Sequence, residues 1–209
     1  MLQTSCRKGI PPQEFHRRKG HEDSVATVEY LWHEICKNSH FDLGEPYING
    51  DEAVFAFMQT LSNGSVQGAS REGKRYADIP KSHWLEQAAL YLTKTLGETD
   101  VIAPKLRSLA EMAKRNGVRE GWSRLANGAS KNRRFARTRK GYYVLGPAVM
   151  EEGDIVCVLF GGKMPFCLRP VGEQRYLLVG ECYVHGLMEG EAMDMMTREQ
   201  LSASCFELL

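Results

Sequence analysis

The stretch GECYVHG, residues 180–186, places Cys182 three positions before His185, with Glu181 and Tyr183 beside them. A thiol, an imidazole and a carboxylate are the parts of a nucleophile, its base and the group that orients the base. Whether they meet depends on the backbone period. Side chains of an extended strand alternate, so residues three apart point to opposite faces and a Cys182–His185 dyad requires a bulge. Glu181, Tyr183 and His185 share one face instead, which is either a polar pocket or the solvated side of an antiparallel sheet; a solvated side is the ordinary state of such a face. No catalytic residue is therefore assigned. Glu181, Tyr183 and His185 stand as a candidate polar-face site, and a Cys/His hydrolase as a lesser alternative.

The stretch DIVCVLF, residues 154–160, is apolar on both alternating sets, with Ile155, Cys157 and Leu159 on one face and Val156, Val158 and Phe160 on the other. A strand of this kind is covered on both sides, which makes Cys157 a packing residue with an inert thiol. His33, Cys36 and His40 are close in sequence, but no second close ligand pair completes a zinc site, so no metal is expected. The acids Glu189, Glu191 and Asp194 lack the alternation of a calcium loop, and no phosphate-binding, dinucleotide or GxSxG motif occurs, so no cofactor is expected either.

Charge is the least balanced feature. No acid lies between Glu120 and Glu151, while KNRRFARTRK supplies Lys131, Arg133, Arg134, Arg137, Arg139 and Lys140. With Phe135, Tyr142 and Tyr143 nearby, such a strand suits phosphates and stacked bases. It equally suits pairing with the acids at 181–194, or water. Nucleic-acid binding is thus an alternative that is possible and not favoured.

These residues need elements to position them. Asp23 is placed to cap a first helix carrying Val25, Val28, Trp32 and Ile35, and Asp51 a second with Val54, Phe57, Met58 and Leu61, ended by Asn63-Gly64. A polar, Gly-rich loop follows over 62–74. Pro80 suits the first turn of a third helix carrying Trp84, Leu85, Ala88, Tyr91, Leu92 and Leu96; Asp100 is placed to cap a fourth with Ile102, Leu106, Leu109 and Ala113, which tolerates Pro104 early or kinks there. A short fifth carries Val118, Trp122 and Leu125 up to Asn127-Gly128. From Arg133 the period changes to that of strands, at 133–138, 142–145, 154–160, 165–170 and 175–185, with an edge strand at 205–209. Short Gly-containing turns between them imply hairpins curled into a small barrel.

The predicted organisation is a polar arm over 1–22, a helical subdomain over 23–128 and a β subdomain over 129–209: an α+β fold, with the helices packed on a small, mostly antiparallel β barrel or twisted sheet. At 209 residues the chain can bury roughly 70% of its unfolded surface, so it needs no metal or disulfide staple. A net charge of +1 points to no particular partner, and six cysteines at 6, 36, 157, 167, 182 and 205, without CxxC pairs, suit a reducing compartment. With no signal-peptide core and no apolar span long enough for a bilayer, the expected location is cytoplasmic, with no membrane.

One resemblance goes further. Residues 133–193, RRFARTRKGYYVLGPAVMEEGDIVCVLFGGKMPFCLRPVGEQRYLLVGECYVHGLMEGEAM, resemble the C-terminal region of fungal heterokaryon incompatibility (HET domain) proteins in the order R-x-F-x-x-T, G-Y-x-x-L-G-P, G-D-x-V-x-V-L-x-G-G, L-R-P and V-G-E-x-Y-V-H-G-x-M-x-G-E-A. The likeness extends loosely back to about Asp51. It carries no residue of the HET domain itself, so it implies a recognition or regulatory module in fungal non-self recognition, non-enzymatic, with a protein partner or self-association. Physical reading adds that the motif glycines make turns or close approaches, Gly180 among them, and that Arg169 is placed to pair with Glu181 or Glu191.

Overall fold

The computed structural model describes residues 28–64 and 80–209. Asp23, the arm at 1–22 and most of the 62–74 loop lie outside them. The chain divides into two compact units, a helical one that ends at Lys131 and a β one over Asn132–Leu209.

The helical unit starts with helix at 28–30 that continues as a π-helix, Leu31–Ile35, and adds α1 (Ala53–Leu61), α2 (Lys81–Leu96), α3 (Pro104–Arg115) and α4 (Trp122–Ser130). Its core is aromatic: Trp32 stacks on Phe41 with centroids 4.4 Å apart, and Phe57 meets the Trp32 ring edge-on at 5.2 Å. Buried polar groups tie the helices together, Trp122 Nε1 donating to the Met58 carbonyl at 3.0 Å and the Gly121 N–H to Gln87 Oε1 at 2.7 Å.

Three boundary expectations are corrected here. Asp51 does not cap α1; its carboxylate is held by Lys81 Nζ at 2.8 Å and Asn49 Nδ2 at 2.9 Å, and the helix begins after Glu52 without a side-chain cap. Asp100 does not cap α3, because Pro104, whose ring is tolerated only in the first turn, sets the start there. Gly128 does not end α4, which runs on to Ser130, where the hydroxyl donates to the Ala126 carbonyl at 2.6 Å.

The β unit holds two sheets. The first has three antiparallel strands in the order β1 (Arg133–Arg137), β2 (Tyr143–Pro147), β6 (Tyr183–Val184). The second has four, β3 (Ile155–Val158), β4 (Pro165–Gly172), β5 (Arg175–Glu181) and β7 (Glu207–Leu208), all antiparallel except β7, which lies parallel to β5. A helix the periodicity did not announce, α5 (Glu191–Thr197), occupies the acidic segment. No closed barrel forms among the described residues.

The expected long strand at 175–185 is broken, and the break joins the sheets. A register shift between Cys167 and Leu168 and a positive φ of 145° at Gly180 bend the end of β5, which stays paired with β4 through Gly180 opposite Cys167 and Glu181 opposite Phe166. Cys182 N–H then donates to the Pro165 carbonyl at 3.0 Å, and the next two residues pair with Leu145 and Val144 of β2. The core of the second sheet is Ile155, Cys157, Leu168 and Tyr176, flanked by Leu159, Phe166 and Phe206, so the face read for Ile155, Cys157 and Leu159 is realised.

Candidate functional site

The strongest polar constellation of the β unit joins two motif pieces distant in sequence. Asp154, whose side chain is 1% exposed, accepts from Arg169 Nε at 2.8 Å through Oδ1 and from Nη2 at 3.0 Å through Oδ2, a two-pronged pair across neighbouring strands. Oδ2 also accepts the Glu151 N–H at 2.8 Å, and Arg169 Nη2 reaches the Val149 carbonyl at 2.7 Å. Every hydrogen bond of this cluster serves the 149–154 turn, with the Glu151 carboxylate 3.4 Å from Arg169 Nη1. The carboxylate raises the guanidinium's pKa further above its ordinary value by accepting its hydrogen bonds, so it stays charged. Arg169 thus pairs with Asp154 and Glu151; pairing with Glu181 or Glu191 is corrected, since β4 sets Arg169 beside the start of β3.

The expected polar face of Glu181, Tyr183 and His185 is divided by the switch of sheets. Glu181 is exposed at the end of β5, whereas Tyr183 and His185 are each 8% exposed, with the Tyr183 hydroxyl 3.3 Å from His185 Nδ1. The solvated-face expectation therefore fails for the last two, because after Cys182 the chain enters the other sheet and its side chains enter the interior. Cys182 is itself 2% exposed, and the cleft described below is lined by neither it nor His185.

The thiols behave as filling. Burial pushes the Cys157 thiol up to about 12, and Cys167 Sγ rests 3.4 Å from Met150 Sδ in the interior. Of the described cysteines, Cys36, Cys157, Cys167 and Cys182 are buried and Cys205 is exposed. Iodoacetamide applied to the native chain should accordingly modify Cys205 among these five, and the other four only after unfolding, as read by peptide mass spectrometry. Early modification of Cys182 would contradict the packing role.

The basic run is partly consumed by structure. Arg133 Nη1 donates to the carbonyls of Leu145, 3.3 Å, and Glu181, 3.2 Å, bracing both sheets, and Arg134 Nη1 donates to the Met150 carbonyl at 2.5 Å. Arg139 and Lys140 are exposed at the tip of the β1–β2 hairpin, Arg137 is half-buried just before it, and Lys131 is exposed at the end of α4, in the other unit. The rings expected to stack on bases are inside: Phe135, Tyr142 and Tyr143 are all buried. Burial, and then the charge of Glu191, raise the Tyr142 phenol's pKa, so an acid also lies near the base of that hairpin.

His40 Nδ1 lies 2.9 Å from the Asp100 carbonyl and Cys36 is fully buried; no group of three metal-ligating side chains occurs among the described residues.

A cleft that sequence reasoning missed lies within the β unit, between α5 and the β3–β4 turn. It offers about 90 Å³ and is lined chiefly by Leu159, Phe160, Met193, Met196, Leu201 and Phe206. The signal was present in the spacing of Ala192, Met193 and Met196, one helical face inside a segment read only for its acids.

Comparison with known proteins comes to the same region. Residues 99–202 match the Het-6 beta-barrel domain. A stretch of 65 residues is 43% identical to heterokaryon incompatibility protein 6, OR allele, of Neurospora crassa, covering 30% of this chain and 10% of that protein. No solved structure matches the chain. The resemblance to the C-terminal region of fungal HET proteins therefore holds, on a match that spans a tenth of the relative's length.

Proposed function

We propose that this chain, whose residues 99–202 match the Het-6 beta-barrel domain, is a non-enzymatic recognition or regulatory module of fungal non-self recognition, acting in the cytoplasm by binding a protein. The observation that supports this most is the fate of the reactive side chains. Cys157, Cys167, Cys182 and His185 are buried, Asp154 is bound by Arg169, and the cleft is lined mostly by apolar side chains, with Ser202 and Ser204 also lining it. A nucleophile that cannot be reached by substrate does no catalysis, whereas an exposed apolar hollow on a rigid scaffold is what binding to another protein uses.

The nucleic-acid reading, which rests on the basic run, loses its stacking rings with the burial of Phe135, Tyr142 and Tyr143 and keeps Lys131, Arg139 and Lys140 exposed. Expression of the chain in a fungal strain, scored by the growth of heterokaryons with strains of differing incompatibility type, tests the proposal. Altered heterokaryon viability is expected. Unchanged viability across all pairings, or ester or amide hydrolysis by the purified chain that is lost on Cys182→Ala, would overturn it.

A further inference from the structure

The cleft of the β unit has a shape and a charge setting that say what should enter it. Phe160 is 70% exposed and Met193 43%, so its mouth leaves large apolar side chains in water, an arrangement that marks contact sites when the residues adjoin one another. The cleft is small, about 90 Å³, and open to solvent at Phe160, the form of a contact hollow more than of an enclosed small-molecule site. Two methionines give that wall unbranched, polarizable side chains that adapt to differently shaped anchors.

The surroundings are acidic. Over 187–209 the charged residues are Glu189, Glu191, Asp194, Glu199 and Glu207 against the single Arg198. Glu189 lies just before Gly190, the N-cap of α5, and Glu199 lies two residues after the helix ends at Thr197; both are exposed, so an exposed acid flanks α5 in the chain at each end. On the facing β3–β4 turn the charged residue is Lys163.

We propose that this cleft docks a basic, apolar-anchored segment of a partner protein, with one aliphatic or aromatic side chain seated against Met193 and Met196 and Lys or Arg on either side facing Glu189 and Glu199. The proposal rests on the recognition reading above and gives it a partner chemistry. Complementary charge at the rim sets register and speeds encounter, and the seated side chain supplies affinity. A second copy bound cleft to cleft would bring the same carboxylates against each other, which disfavours self-association through this face.

The test uses the full chain with its methionine methyls labelled with ¹³C and two short synthetic peptides, one carrying a Leu anchor flanked by Lys, the other the same anchor flanked by Glu. The Lys-flanked peptide is expected to move the Met193 and Met196 resonances while leaving that of Met58, buried in the helical unit, in place. Its binding should weaken with added salt and fall about tenfold in the double variant Glu189→Lys, Glu199→Lys, whose exposed positions leave folding intact. Equal binding of both peptides, no movement of the two resonances, no loss in the variant, or shifts that depend on chain concentration alone would each overturn the proposal. Heterokaryon assays with the same variant separate the two readings: an effect that persists when both carboxylates are reversed retains the recognition module and removes this site.

Discussion

Replacing Arg169 with Ala should destabilise the β unit by about 3–5 kcal/mol, and replacing Asp154 with Ala should cost less, about 2–3 kcal/mol. The difference follows from which charge is left behind. Asp154 is 1% exposed, so Arg169→Ala strands a carboxylate in the interior with the Glu151 N–H as its one remaining donor among the bonds described above. Arg169 is 30% exposed, so in Asp154→Ala the guanidinium keeps the Val149 carbonyl and the Glu151 carboxylate and turns partly to water. Arg169→Lys should recover only part of the loss, because an ammonium cannot bond both carboxylate oxygens in the planar fork that Nε and Nη2 provide.

The measurement has to report on the right unit. All three tryptophans, Trp32, Trp84 and Trp122, belong to the helical unit, so tryptophan fluorescence follows that unit's unfolding. Hydrogen exchange at β3 and β4 amides follows the affected one. Faster exchange there in both variants, ordered Arg169→Ala above Asp154→Ala, is the expected result; the reverse order would show that the pair is held mainly by its exposed rim.

The second large effect is expected at Gly180. Its φ of 145° is in a region that side chains rarely adopt, and a Cβ there would stand 2.8 Å from Pro147 Cγ, an atom of a rigid ring. Backbone strain and overpacking add, so Gly180→Ala should cost about 3–5 kcal/mol. Two other glycines separate those causes. At Gly153, φ 99°, a Cβ meets nothing within 4 Å, so Gly153→Ala carries the conformational cost alone, about 1–2 kcal/mol. At Gly146 a Cβ would meet Met150 Sδ at 2.7 Å and Cys167 Sγ at 3.3 Å, both buried, but a flexible methionine yields more than a proline ring, so Gly146→Ala should cost about 1–3 kcal/mol. Urea titrations followed by circular dichroism should rank Gly180→Ala above both. Equality with Gly153→Ala would mean that Pro147 yields and that the joint between β5 and β6 is softer than its geometry implies.

Several features were legible before any coordinates. The helical first half, the strand-forming second half, the turns at Gly141, Gly153 and Gly161, and the buried thiol of Cys157 follow from period and punctuation, whereas the second face expected for that strand is open at its end, where Phe160 is 70% exposed. Caps were read less well. Asp51 and Asp100 have the right side chain at about the right place, yet an ion pair with Lys81, thirty residues away, took the first, and the ring of Pro104, four residues on, fixed the helix start near the second.

What sequence alone determined is the material of this protein: which segments curl and which extend, where the chain reverses, and which residues are filling. What tertiary structure decided is every meeting between distant pieces. Strand period put Glu181, Tyr183 and His185 on one face, but after Cys182 the chain passes from one sheet to the other, which buries two of the three. Arg169 found Asp154 because β3 and β4 pair in a register that no local spacing announces. The apolar hollow beside α5 exists because a methionine face meets a turn more than thirty residues earlier in the chain, and such a coincidence in space has no counterpart in local sequence.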